Sequence, residues 1–246
     1  MKLNFTGVTD PGLVRTSNQD AYYIDPDGRF FIVADGMGGH AGGEQASRIA
    51  TEEIATFLQS HWDGAESTQK LLENSLWQAN KAIIQDQQQH PERADMGTTV
   101  VAVVFRSSDS PWCAHVGDSR LYRFRESQLQ QITQDHTWIA RAIKLGDITE
   151  DEARNHPYRH ILSRCLGRED LHQVDVQPLD MKLGDRLLLC SDGLTEELNN
   201  QSIADHLRNS PILENASHSL IASAKEEGGH DNITIVMVSA EENAAV

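Results

Sequence analysis

The stretch Phe30-Phe31-Ile32-Val33-Ala34-Asp35-Gly36 has a counterpart far along the chain in Leu187-Leu188-Leu189-Cys190-Ser191-Asp192-Gly193. Four to five consecutive apolar residues closed by glycine suit a strand buried on both faces, so each carboxylate is expected at the rim of a core. Carboxylates held on rigid strand ends can share a cation. Three more aspartates stand in similarly constrained settings: Asp20 in Ser17-Asn18-Gln19-Asp20, Asp118 in Val116-Gly117-Asp118-Ser119-Arg120, and Asp231 in Gly228-Gly229-His230-Asp231-Asn232. Hard divalent ions want oxygen ligands and tolerate several waters, so the set reads as a Mg²⁺ or Mn²⁺ cluster.

Outward from these stretches, strand signals lie at Leu3 to Val8, Ala21 to Ile24 and Phe30 to Ala34, the last after the turn Asp25-Pro26-Asp27-Gly28. Two amphipathic helices follow, one over Gly43 to Ser60 and one through Leu71, Leu72, Leu76, Ala79 and Ile83. The middle reverts to strand at Thr98 to Phe105, Trp112 to Val116, Leu121 to Phe124 and Gln128 to Ile132, with hairpin spacing that predicts antiparallel pairing. A polar, broken segment at about 136–168, with a capping-box match at Thr149-Glu150-Asp151-Glu152, is expected to be a substrate-facing flap. Strands at Val174 to Pro178, Arg186 to Ser191 and Ile233 to Val238 bracket helices near Ser202 to Arg208 and Ile212 to Lys225. Strands grouped with strands and helices grouped in pairs predict an α+β fold, a four-layer αββα sandwich of two antiparallel sheets flanked by helix pairs. A single catalytic domain over residues 1–240 and a short tail at 241–246 are expected.

Composition narrows the function. The net charge of −16 opposes any general attraction to nucleic acid or to an anionic membrane, and neither partner is expected. Cys113, Cys165 and Cys190 are an odd count, two of them in apolar runs, and read as reduced packing residues. No stretch of about 18 apolar residues and no continuous apolar leader is present, so a cytoplasmic, soluble, monomeric protein is expected.

Taken together, Arg15-Thr16-Ser17-Asn18-Gln19-Asp20, Val33-Ala34-Asp35-Gly36-Met37-Gly38-Gly39-His40, Met96-Gly97-Thr98-Thr99, Gly117-Asp118-Ser119-Arg120, Ser191-Asp192-Gly193-Leu194 and Asp231-Asn232-Ile233-Thr234 resemble the metal-dependent protein phosphatase family of the 2C type, in its bacterial form. The motifs stand in that family's order across almost the whole chain. The resemblance implies that Asp35 bridges two metal ions, that the Gly36 carbonyl adds a ligand to one, and that Asp192 and Asp231 hold the other. It implies a third, weaker ion at Asp118 with Asp192, an acid at Asp20 that orients the attacking water, and a phosphate clamp at Arg15. The substrates it implies are proteins phosphorylated on serine or threonine.

The chemistry asks for such residues independently. Hydrolysis of a phosphomonoester needs a nucleophile at neutral pH, and water bridging two divalent ions is acidified into one, so in-line attack needs no nucleophilic side chain. A guanidinium such as Arg15 can balance charge on the phosphoryl oxygens through two parallel hydrogen bonds. Many eukaryotic relatives carry a histidine directly after Asp-Gly, where Met37 stands here; His40 is the candidate proton donor in its place, in competition with metal-bound water. Gly36-Met37-Gly38-Gly39-His40-Ala41 also matches G-x-G-x-x-G/A, the dinucleotide fingerprint, but Asp35 would repel the pyrophosphate and no second strand ending in an acid follows. No cysteine has an arginine six positions later, which disfavours a thiol nucleophile.

Overall fold

The computed structural model describes residues 2–39, 42–106, 110–149, 152–153 and 156–242, and buries the strand that carries Asp35. In chain order the elements are β1 (Lys2–Asp10), β2 (Asp20–Ile24), β3 (Phe30–Met37), α1 (Gly42–Ser60), α2 (Thr68–Gln89), β4 (Gly97–Thr98), β5 (Val100–Val104), β6 (Trp112–Val116), β7 (Arg120–Arg125) and β8 (Gln128–Gln131). They continue with α3 (Trp138–Leu145), β9 (Asp175–Pro178), β10 (Arg186–Cys190), α4 (Asp192–Thr195), α5 (Asn200–Asn209), α6 (Leu213–Glu227) and β11 (Ile233–Glu241). One sheet runs β1-β11-β10-β7-β8 and the other β2-β3-β5-β6-β9, with β4 added to β3. Every pairing among the described strands is antiparallel, so the βαβ unit of a dinucleotide fold is not formed there.

Alternation along β3 explains the layers. Successive strand side chains point to opposite faces. Phe31 and Val33 meet Val101, Val103, Leu187, Leu189, Val236 and Val238 between the sheets, whereas Phe30, Ile32 and Ala34 face the helices. On that outer side Ala46, Ala50, Ile54 and Leu58 of α1 recur every fourth residue and pack with Leu72, Leu76, Ala79 and Ile83 of α2. The second sheet is covered by α5 and α6 through Ile203, Leu207, Leu213, Leu220 and Ala224. The result is the expected αββα sandwich. All three cysteines are free and buried. No helix among the described residues is long and apolar enough to cross a membrane.

Two details depart from the sequence expectation. The single strand expected at Thr98 to Phe105 is divided into β4 and β5, because the Thr98 hydroxyl (2.8 Å) and the Thr99 amide (2.9 Å) both donate to the Asp35 carbonyl and interrupt the ladder between them. The chain after β10 turns at once into α4, a four-residue helix starting at Asp192 that has no hydrophobic period to announce it. The capping box is present at its described ends: Thr149 N–H donates to Glu152 Oε2 (2.8 Å) and Glu152 N–H to Thr149 Oγ1 (3.3 Å).

The β2–β3 turn is locked by a buried charge. Asp25 is 0% exposed and receives Arg29 Nε (2.8 Å) and Nη2 (2.7 Å), together with the Asp27 and Arg29 amides, while the guanidinium lies 5.0 Å from the Trp62 ring centroid. Although burial opposes it, these bonds hold the Asp25 carboxyl below its usual range. A carboxylate with a depressed folded pKa stabilises above its unfolded value and loses that contribution as pH falls through the folded one. Asp25→Asn is therefore expected to cost about 1–3 kcal/mol in urea unfolding at pH 7. The gap to the native sequence should shrink below about pH 4; a gap independent of pH would show that charge plays no part.

Candidate active site

Asp35 sits near the C-terminal end of β3, at the end of the sandwich where β2 begins with Asp20, to which it is paired in register. The β6–β7 turn at that end carries Asp118, the end of β10 delivers Asp192 as the first residue of α4, and the turn before β11 carries Asp231. Antiparallel order places these turns together although the residues are far apart in sequence. Asp35, Gly36, Asp118, Asp192 and Asp231 line one cavity of about 300 Å³, and Arg15, from the β1–β2 loop, lines it with them.

Close packing fixes the backbone there. A Cβ at Gly36 would lie 2.0 Å from the Gly43 carbonyl oxygen, and one at Gly193 would lie 2.1 Å from that of Asn232, so neither position admits a side chain without displacing backbone. Gly117 adopts φ +104°, which lets the turn present Asp118. Thr99 Oγ1 accepts from the Asp35 amide (3.1 Å) and bonds Ser119 Oγ (2.6 Å), tying the Asp35 strand end to the Asp118 turn. Ser191 Oγ donates to Asp20 Oδ2 (2.7 Å) and accepts from the Thr234 amide (2.9 Å), which joins β2, β10 and β11.

The electrostatics are those of a site built for cations. Burial first, then the charges of Asp20, Asp192 and Asp118, hold the Asp35 carboxyl well above the usual carboxylate range. Burial and Asp192 do the same to Asp118, burial raises Asp192, and burial pushes Asp20 up to about 7. The buried oxygens Asp192 Oδ1 and Asp20 Oδ1 have no hydrogen-bond partner among the described residues. Crowded carboxylates with buried oxygens that lack a partner call for something to complete them, and a cation does so while relieving their mutual repulsion. Arg15 answers only in part, through Nη2 to Asp231 Oδ2 at 2.6 Å, a bond that raises its own pKa. An all-oxygen donor set fits hard divalent ions.

Several residues that matter to this geometry were not singled out as site residues. Asn232 is 4% exposed; its Oδ1 accepts from the Gln19 amide (2.8 Å), and its Nδ2 donates to the Pro11 (3.0 Å) and Ser17 (2.9 Å) carbonyls. Its adjacency to Asp231 was the available signal. His160 of the segment between β8 and β9 also lines the cavity and pairs with Glu196 of the α4 C-terminus, whose carboxyl burial and Asp192 push up to about 7. Nothing in the sequence spacing marks that contact. Arg120 turns away to Asp135, with Nε at 3.0 Å and Nη2 at 2.6 Å. His40, the candidate proton donor, lies outside the described residues.

Comparison with known proteins agrees with the fold. The chain is 36% identical over 235 residues to the serine/threonine protein phosphatase PstP of Mycobacterium tuberculosis, an alignment that spans 96% of this chain and 44% of that protein. It is 35% identical over 239 residues to the serine/threonine phosphatase Stp of Listeria welshimeri, covering 94% of this chain and 93% of that one. A crystal structure of the catalytic domain of PstP in complex with two manganese ions superposes with a TM-score of 0.86 at 32% identity, over 98% of this chain and 99% of that one. The family model for protein phosphatase 2C matches residues 14–226, and the chain belongs to that family.

Proposed function

We propose that this protein hydrolyses phosphoserine and phosphothreonine in protein substrates, with Mn²⁺ or Mg²⁺ held by Asp35, the Gly36 carbonyl, Asp192 and Asp231, and a further, weaker ion at Asp118 with Asp192. The observation that carries the reading is the cavity itself, in which four aspartates from four separate parts of the chain meet one arginine. Membership of the family and the manganese complex of a relative support it.

Bound there, the ions would supply a nucleophile from water at neutral pH and offset charge gathering on the phosphoryl oxygens. Arg15 would bind the phosphoryl group. It uses one terminal nitrogen on Asp231 and is half exposed, so its remaining donors, without a partner among the described residues, can form the parallel pair that a phosphate accepts. Asp20, anchored through Oδ2 by Ser191, keeps Oδ1 to accept a hydrogen bond from the attacking water and fix its direction. The polar segment at 136–168 would act as a flap over the cleft, since His160 and Leu162 form part of the cavity wall. Shape and charge exclude no small phosphomonoester, so a chromogenic ester should be turned over as well.

Saturating Mn²⁺ is expected to raise thermal stability, by about 2.7 kcal/mol at 100 times the dissociation constant. Asp35→Asn and Asp192→Asn should each abolish that shift and phosphopeptide turnover. Each should also raise the melting temperature in chelator, because a repelling buried charge is gone. Scanning calorimetry with and without Mn²⁺ reads both effects, and turnover that survives thorough chelation would defeat the proposal. Asp118→Ala should likewise melt no lower than the native sequence in chelator and keep a manganese-dependent shift while turnover falls at least about tenfold; near-normal turnover would reduce Asp118 to a turn residue.

A further inference from the structure

A second cavity, of about 410 Å³, shares the Met37 and Leu162 wall with the carboxylate-lined one. Its charge is opposite to its surroundings. Two guanidinium groups, Arg164 and Arg168, face a single lining carboxylate, Asp170, in a chain whose net charge is −16. Leu171 and Cys165, both nearly buried, supply apolar wall.

The two arginines are prepared differently. Arg164 Nη1 donates to Asp175 Oδ1 (2.8 Å), and Asp175 sits in β9 opposite His115 of β6, where Gln173 Nε2 (3.0 Å) and His136 Nε2 (3.1 Å) also reach its carboxylate. His136 Nδ1 accepts from the Gly117 amide (3.1 Å), so Nε2 carries the proton and donates to Asp175. Arg164 is thereby held by a network rooted in the sheet, and its other donors have no protein partner among the described residues while remaining in reach of solvent. The Arg168 side chain is 57% exposed and, among the described residues, pairs only with the outward-facing Asp170, at 3.7 Å. A preorganised guanidinium beside a free one, over an apolar wall, is a receptor for an anion on a short stem.

We propose that this cavity binds an anionic side chain flanking the phosphorylated residue of the substrate, a carboxylate or a second phosphoryl group, and so makes the enzyme select acidic phosphorylation sites. The assignment rests on the phosphatase reading, because the shared wall is what makes the cavity a neighbour of the scissile phosphate. Extended peptide advances about 3.3 Å per residue, so a residue close in sequence to the phosphorylated one would enter it. The global field opposes this choice: a protein of this net charge without such a pocket would favour basic peptides.

The test uses three phosphothreonine peptides with glutamate, alanine or lysine flanks, a doubly phosphorylated peptide, and p-nitrophenyl phosphate, all with Mn²⁺. Turnover is measured alongside anisotropy of labelled peptides carrying a non-hydrolysable phosphonate, so that binding is read even if hydrolysis is absent. The native protein should prefer glutamate over lysine flanks, and Arg168→Glu should raise KM for the acidic peptide about five- to tenfold, leave kcat unchanged and lower KM for the lysine peptide. p-Nitrophenyl phosphate turnover should stay within about twofold. Tighter binding of the doubly phosphorylated peptide than of the glutamate one would identify a phosphoryl group as the preferred anion. A native preference for lysine flanks, no preference, or an Arg168→Glu effect equal across all peptides would overturn the proposal. Loss of all turnover with the binding preference intact would overturn the phosphatase reading instead.

Discussion

Burial of β3 on both faces governs where everything else goes. Once Phe31 and Val33 are committed between the sheets and Phe30, Ile32 and Ala34 toward α1 and α2, the strand can neither slide nor rotate, because a one-residue shift would exchange its faces. Asp35 then emerges at one defined point, and its amide and carbonyl are taken by Thr99 and Thr98 before the side chain has any choice of direction. The same holds for Asp192 beyond β10, where Leu187 and Leu189 fill the inter-sheet layer. Apolar packing is what keeps mutually repelling carboxylates together.

That arrangement leaves electrostatic work unfinished in the protein alone. Asp35, Asp118 and Asp192 are held as carboxyls that resist ionisation, and two buried oxygens lack partners among the described residues. The desolvation cost has been met by the core, so a divalent ion arriving at the cavity encounters ligands already stripped of water and already aimed. Affinity for the ion and instability without it are two aspects of one arrangement.

Legibility in the sequence followed the range of the interaction. Continuous apolar runs ending in Asp-Gly announced β3, β10 and their carboxylates, and the 3.6-residue period announced α1 and α2, since these signals reside in neighbouring residues. The hydrogen bonds of Asn232 to Gln19, Pro11 and Ser17, the Thr99–Ser119 link and the His160–Glu196 pair join residues with no local pattern in common. Helix α4 escaped notice because four residues around a glycine carry no period, and its position is dictated by the close approach of Gly193 to the Asn232 carbonyl. Pairing rules were readable; contacts that depend on the finished fold were not.

The pairing of β1 with β11 has an implication for the timing of assembly during synthesis. Thr9 and Thr234, 225 residues apart, bond through their hydroxyls in that ladder, and Asn232 anchors the loop leading to Asp20. A nascent chain emerging from the ribosome lacks Asp231 and Asn232 until the 230 residues before them have been made, so the loop bearing Arg15 and Asp20 has nothing to close against. Order of synthesis thus leaves the loop that bears Arg15 and Asp20 unanchored until the last strand is in place.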